Sequence, residues 1–175
     1  MGSPAISERH PALTDEQTGL PNRQHFDTVF KTLFAMARRG MPLTALILEI
    51  EDVGESEGAR GTVDEGRICR SVAEVIEPTI RQTDLLARLD QDRLILGLVD
   101  CNLAGAAVVA HRIDGYLDRI RGETGLEFSL GVAEFEKAFQ EPVELLDAAI
   151  EALEIARGRT SNRVEFFSGT TGHGE

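Results

Sequence analysis

The chain alternates between segments in which apolar residues recur every three to four positions and segments in which they follow one another directly. The first kind predicts helices with one buried face, at about residues 22–39, 68–78, 103–121 and 143–156. Asn22 can cap the first of these helices, and Gly40 can end it. The second kind predicts strands.

The run from Leu43 to Ile50 is apolar on both faces, which predicts a strand buried in the middle of a sheet. Residues 84–89 and 93–99 form a candidate hairpin, and residues 126–134 and the segment NRVEFF predict two more strands. The order α-β-α-β-β-α-β-α-β therefore predicts one α/β domain of the α+β kind, in which helices flank a central sheet of about five strands.

The 175 residues are enough for one domain with a real core. Residues 1–12 (MGSPAISERHPA) have the composition of a tag or linker remnant, and residues 169–175 that of a flexible tail. We therefore expect the folded domain to span residues 13–168.

The net charge of −12 argues against binding to nucleic acids, because neutralising phosphates requires a basic surface. A local arginine cluster can still bind a small nucleotide. Cys69 and Cys101 lack the spacing of metal ligands and are expected to be reduced thiols. With neither a signal peptide nor an apolar run of membrane length, the prediction is a cytoplasmic domain without membrane contact.

Five segments, in order, resemble GGDEF domains, the diguanylate cyclase family, and together cover about residues 13–167. They are DEQTGLPNR, LILEIEDV, LLARLDQDRLILGLVD, FSLGVAEF and LLDAAIEALEIARGRTSNRV. The resemblance implies a palm-like fold shared with adenylyl cyclases, with a mostly antiparallel sheet. It also implies a reaction in which two facing domains join two GTP molecules into cyclic di-GMP.

The family's signature turn departs from its pattern in this chain. Asp90 and Gln91 stand where the resemblance places two glycines, which let backbone amides approach the triphosphate. Asp92 keeps a carboxylate, whereas Arg93 replaces the glutamate and Leu94 the phenylalanine.

Other positions that the resemblance assigns to the nucleotide also differ. Glu49 and Glu51 stand for the two aspartates of the first strand, and Arg157 can substitute for a phosphate-binding lysine. Three further positions lack the residue that the resemblance expects. Glu57 and Gly66 stand at the positions of the two guanine-reading residues, and Ser161 stands at the position of a phosphate-binding arginine. Each missing interaction costs on the order of 1–3 kcal/mol. The prediction is a chain that is not an enzyme and requires no cofactor. Magnesium binding is not expected, although Glu49 and Asp92 are weak metal candidates.

The sequence Arg81-Gln82-Thr83-Asp84 precedes the turn at the spacing of the family's inhibitory site, which binds cyclic di-GMP. An arginine offers a planar fork to guanine or phosphate, and an aspartate accepts from guanine N–H groups. Arg112 occupies the position of a further arginine that often completes such a site from a neighbouring subunit.

The hypothesis is a cyclic di-GMP receptor that acts through Arg81, Asp84 and Arg112. Its possible partners are a second copy bridged by ligand and other protein domains of a larger signalling chain. The alternatives are a nucleotide-free module for dimerisation or protein docking and, last, a residual cyclase.

Overall fold

The computed structural model describes residues 11–52, 65–161 and 163–169. The order of helices and strands is the predicted one. The elements are α1 (Arg23–Ala37), β1 (Leu43–Asp52), α2 (Glu65–Ile76), β2 (Leu85–Arg88), β3 (Arg93–Val99), α3 (Leu103–Thr124), β4 (Leu126–Glu134), α4 (Pro142–Arg157) and β5 (Val164–Phe166).

The five strands form one sheet in the order β2-β3-β1-β4-β5. Neighbouring strands are antiparallel except β4 and β5, which are parallel. Strand β1 pairs with β3 from Leu43 to Glu49 and with β4 from Thr44 to Asp52. The prediction of a central buried strand is therefore confirmed, and so is the mostly antiparallel α+β fold.

Helices cover both faces of the sheet, because the side chains of β1 alternate between two cores. Leu46 and Leu48 point into the core beneath α2 and α3, which also contains Ile113. Ile47 points into the other core, beneath α1 and α4, with Phe30. The continuous apolar run of β1 thus reflects burial on both faces.

The helix ends follow local capping chemistry. The Asn22 side chain accepts a hydrogen bond from the backbone N–H of His25 at 3.0 Å, as the sequence predicted. Helix α3 runs three residues beyond its predicted end at 121 and stops only at Gly125, whose φ of 73° ends a helix without strain. Helix α2 ends at Ile76, followed by a 3₁₀ turn over Glu77–Thr79.

Strand β4 and helix α4 approach each other closely at Gly131. A Cβ atom added there would lie 2.2 Å from the carbonyl oxygen of Ala149 and 2.4 Å from the backbone nitrogen of Leu153. The absence of a side chain at this position lets helix α4 sit directly on the sheet.

None of the helices in the described ranges is long and apolar enough to cross a bilayer. The tag or linker assigned to residues 1–12 lies mostly outside the described residues, as does most of the tail assigned to 169–175. Both assignments remain predictions.

Candidate functional site

The signature turn joins β2 to β3 and lies beside the carboxyl end of β1. The backbone N–H of Leu89 donates to the carbonyl of Arg93 at 2.9 Å, which closes the hairpin. The N–H of Ile50 donates to the carbonyl of Asp92 at 2.9 Å, which fixes the turn to the central strand. Asp90, Gln91 and Asp92 therefore lie beside the carboxyl end of β1.

A buried arginine, Arg88, fastens the turn from inside. Its guanidinium donates to the carbonyls of Asp90 and Gln91, both at 2.9 Å, and on its other side to the carboxylate of Asp15 at 3.2 Å and to Gln17. Arg88 is only 6% exposed. No role was predicted for Arg88 from the sequence, although an arginine inside an otherwise apolar strand is a signal that identifies such a residue.

Burial and charge set the ionisation of Asp15. Burial by itself raises the pKa of this carboxyl, but hydrogen bonds from Thr18 and Arg88 outweigh it and hold the pKa below its ordinary value. The N–H and hydroxyl of Thr18 donate to it at 2.8 and 2.7 Å. The loop before α1 is thus joined by a charged network to the signature turn.

Glu49, a weak metal candidate from the sequence, is bound by arginines. It is 4% exposed, and its carboxylate lies 3.1 Å from Nε of Arg93 and 3.4 Å from Nε of Arg157. Burial raises the pKa of Glu49 above its ordinary value, against the opposing charges of these two arginines. Arg157, assigned to phosphate by resemblance, is engaged by protein carboxylates in this structure.

The ion pairs continue through Glu51, two residues further along the central strand β1. Arg157 contacts Glu51 at 2.9 Å, and Arg163 pairs with the other carboxylate oxygen of the same residue. Arg163 also donates to the hydroxyl of Ser129 at 2.9 Å and lies 3.8 Å from Glu127. No role for Arg163 was predicted from the sequence, because its partners come from distant segments.

Asp92, the second metal candidate, is exposed in the turn. The pKa of its neighbour Asp90 is raised, first by partial desolvation in the packed turn and then by a hydrogen bond with Asp92. In the part of the chain that the structure describes, no group of three or more histidine, cysteine, aspartate or glutamate side chains is arranged to hold a metal ion.

Of the two positions that the resemblance assigns to guanine contacts, the structure describes only Gly66. Gly66 is buried against the N-terminal loop, and a Cβ atom there would lie 2.7 Å from Cβ of Gln17. Glu57 lies outside the described residues. Ser161, at the position of an expected phosphate-binding arginine, is exposed at the surface.

The Arg81–Asp84 loop lies at the opposite end of β2 from the turn. The Asp84 carboxylate accepts from the backbone N–H of Arg81 at 2.8 Å through one oxygen and from that of Val99 at 2.9 Å through the other. The carbonyl of Arg81 accepts from the N–H of Asp84 at 3.0 Å. Asp84 therefore shapes the loop and anchors it to the end of β3.

The Arg81 side chain is exposed and makes no hydrogen bond or ion pair with the described residues. Arg112, on α3, is likewise exposed and has no such partner among them. Arg112 lines a groove of about 420 Å³ between the end of α2 and α3. The other lining residues are Glu74, Val75, Pro78, Thr79 and Tyr116. The groove lining includes neither Arg81 nor Asp84.

Comparison with known sequences gives one family over most of the chain. The family profile described as "Diguanylate cyclase, GGDEF domain" matches residues 12–163. Diguanylate cyclase DosC of Escherichia coli K12 is 31% identical over 166 residues, which are 91% of this chain and 36% of DosC. Diguanylate cyclase DgcS of Shewanella oneidensis is 26% identical over 86% of this chain and 51% of its own length. The chain thus spans about a third to a half of these curated relatives.

Solved structures confirm the fold. The GGDEF domain of DgcB from Caulobacter crescentus, in complex with c-di-GMP, superposes with a TM-score of 0.77 at 22% identity, covering 97% of this chain and 99% of that one. Diguanylate cyclase SiaD from Pseudomonas aeruginosa, in complex with its activator SiaC, superposes with a TM-score of 0.78 at 21% identity, over 89% and 62% of the two chains.

These relatives contradict one expectation. The prediction that the chain is not an enzyme is wrong, because the matching family and relatives are diguanylate cyclases and point to an enzyme. That prediction rested on unfavourable residues at single positions such as Asp90 and Gln91. It could not include cationic side chains such as Arg163, which the fold brings from a distant segment into contact with Glu51 on the central strand.

Proposed function

Because the chain belongs to the GGDEF domain family of diguanylate cyclases, we propose that it binds cyclic di-GMP as a regulatory ligand through Arg81, Asp84 and Arg112. The family is named for making this dinucleotide. A domain that binds the product away from the signature turn can respond to the concentration of that product. This chain spans only about a third to a half of the matched relatives. Any activity and partners of a longer protein are therefore part of the same proposal.

The observation that carries the proposal is the construction of the Arg81–Asp84 loop. Asp84 uses one carboxylate oxygen on the N–H of Arg81 and the other on the N–H of Val99, which holds the loop at the end of β3. The Arg81 guanidinium is left exposed and unpaired within the described residues. A positioned, unpaired arginine fork is suited to the guanine edge or to a phosphate oxygen.

Arg112 adds a second cation without a partner among the described residues, on α3. Cyclic di-GMP carries two phosphates, so two arginines can each neutralise one charge, in a chain whose net charge is −12. Further support comes from the family, since the GGDEF domain of DgcB was solved in complex with this ligand.

The test is binding measured by calorimetry and by thermal unfolding. At a hundredfold excess over its dissociation constant, a ligand specific for the folded state stabilises it by about 2.7 kcal/mol. Cyclic di-GMP should therefore raise the melting temperature by about 5 °C or more, and the increase should vanish in Arg81→Ala. Arg119→Ala is the matched control, because Arg119 is an exposed arginine of α3 that is already paired with Glu123.

An unchanged melting temperature together with no heat of binding to the wild-type protein would overturn the proposal. Equal losses in Arg81→Ala and Arg119→Ala would show that charge alone, rather than this loop, attracts the ligand. Turnover of GTP is measured separately, with magnesium or manganese present, because binding of the regulatory ligand does not depend on it.

A further inference from the structure

We infer that Glu74 and Tyr116 recognise a guanine base of the ligand in the groove beside Arg112, with Glu74 accepting from its N–H groups and Tyr116 stacking on its ring. This inference rests on the proposed binding of cyclic di-GMP and assigns base recognition to residues outside the Arg81–Asp84 loop. It follows from three observations on the groove and on Asp84.

The first observation is that Asp84 already has a structural role in its loop. Each of its carboxylate oxygens accepts a backbone hydrogen bond, from Arg81 and from Val99, at 2.8 and 2.9 Å. Guanine presents two adjacent donors, N1–H and N2–H, which are best matched by two free oxygens of one carboxylate. Each Asp84 oxygen keeps one further lone pair, but its direction is set by the loop, whereas a carboxylate without other hydrogen bonds can present both oxygens to the base.

The second observation is a carboxylate in the groove, Glu74, that has no partner among the described residues. Glu74 is exposed on α2 and lines the groove, and its carboxylate makes no hydrogen bond or ion pair with any described residue. Although Arg112 lines the same groove, the two side chains do not pair with each other. An acceptor and a cation that share a groove without neutralising each other suit a ligand with a donor edge and an anionic group.

The third observation is an aromatic ring left in solvent. Tyr116 is 55% exposed and lies one helical turn after Arg112, on the same face of α3. Val75 and Pro78 provide apolar surface in the same groove. An exposed aromatic ring offers a stacking surface to a nucleotide base, and a groove of about 420 Å³ falls in the size range of small-ligand sites.

The first experiment compares cyclic di-GMP with cyclic di-AMP by calorimetry. Adenine lacks the N1–H and N2–H donors, so Glu74→Gln should weaken cyclic di-GMP binding about tenfold or more and leave cyclic di-AMP binding unchanged. Tyr116→Ala should weaken both ligands by a similar factor, because stacking does not depend on the base edge. Glu77→Gln is the matched control, since Glu77 is an exposed acid next to α2 that does not line the groove.

The second experiment uses Tyr116 itself as the reporter. The chain contains one tyrosine and no tryptophan, so its tyrosine emission comes from Tyr116 alone. Stacking of guanine on the ring should quench this emission with the same midpoint as the calorimetric titration. The reference is free N-acetyl-tyrosinamide, which corrects for absorption by the nucleotide. Tyr116→Phe should retain the affinity.

The outcomes separate this inference from the function on which it rests. If the wild-type protein gives heat with cyclic di-GMP but no quenching, and Glu74→Gln behaves as Glu77→Gln does, the ligand binds elsewhere and only the inference fails. If the wild-type protein gives no heat, the proposed function fails and takes the inference with it. Quenching together with lost base selectivity in Glu74→Gln supports both.

Discussion

The Arg88 guanidinium joins two segments that lie far apart in the sequence, the loop before α1 and the signature turn. It pairs with Asp15 while donating to the carbonyls of Asp90 and Gln91. A charged hydrogen bond inside a protein contributes more than a neutral one, and breaking it leaves a buried charge without its partner. The stability of this network therefore depends on the charge of Asp15.

We expect Asp15→Asn to lower the free energy of unfolding by about 2 kcal/mol at pH 7, measured by urea denaturation. The amide keeps the shape of the side chain and an oxygen for Thr18 but removes the charge that faces Arg88. The control is Asp27→Asn, which removes an acid from an exposed pair with Arg23 and should cost less than about 0.5 kcal/mol. If both variants lose the same free energy of unfolding, the buried ion pair of Asp15 with Arg88 contributes no more than the exposed pair of Asp27 with Arg23.

The same variant has a defined pH dependence. Because the folded pKa of Asp15 is lowered, its charge contributes stability above the unfolded pKa of about 3.9, and that contribution is lost as the pH falls through the folded value. The difference between the wild-type protein and Asp15→Asn should therefore be constant above about pH 5 and should shrink at lower pH. A difference that grows on acidification would contradict this assignment.

At the level of elements, helix α4 depends on the missing side chain at Gly131. We expect Gly131→Ala to destabilise the domain by about 3 kcal/mol, because the new methyl group meets the helix backbone rather than a flexible side chain. Gly115→Ala is the matched control on α3, where an added Cβ meets no atom of the described residues within 4 Å. It should stabilise the domain by up to about 1 kcal/mol through helix propensity. The free energy of unfolding of both variants is measured by chemical denaturation. If Gly131→Ala is as stable as Gly115→Ala, the close packing of α4 on Gly131 is refuted.

The sequence predicted the elements well, since their signals are local. The apolar run of Leu43–Ile50 and the cap at Asn22 both depend on neighbouring residues, and both are confirmed. It did not predict the pairing of Glu49 with Arg93 and Arg157, because that pairing exists only after three segments meet. The end of α3 was predicted three residues early, since residues 122–124 (Gly-Glu-Thr) include no large apolar side chain that would continue the helical spacing.

For the whole molecule, the proposed ligand implies a change in association. Arg81 of one copy and Arg112 of a second copy can contact opposite sides of the bound dinucleotide. The ligand can therefore bridge two copies of the chain. Saturating cyclic di-GMP should shift the protein from monomer to dimer in sedimentation velocity. Arg112→Ala should abolish the shift while weakening binding less than Arg81→Ala does, and Arg119→Ala should leave it intact. A protein that binds ligand but sediments as a monomer at every concentration would rule out bridging.

The central place of β1 has a consequence for the synthesis of the protein on the ribosome. Its partners on both sides come later in the chain, since Leu43 pairs with Val99 and Thr44 with Glu134. As translation proceeds from the N-terminus, β1 leaves the ribosome before either neighbour exists, with an apolar run that carries no charge before Glu49. Such a segment pairs readily with copies of itself while it waits. Fast translation through residues 53–134, or a chaperone that covers residues 43–48, should therefore raise the yield of soluble protein.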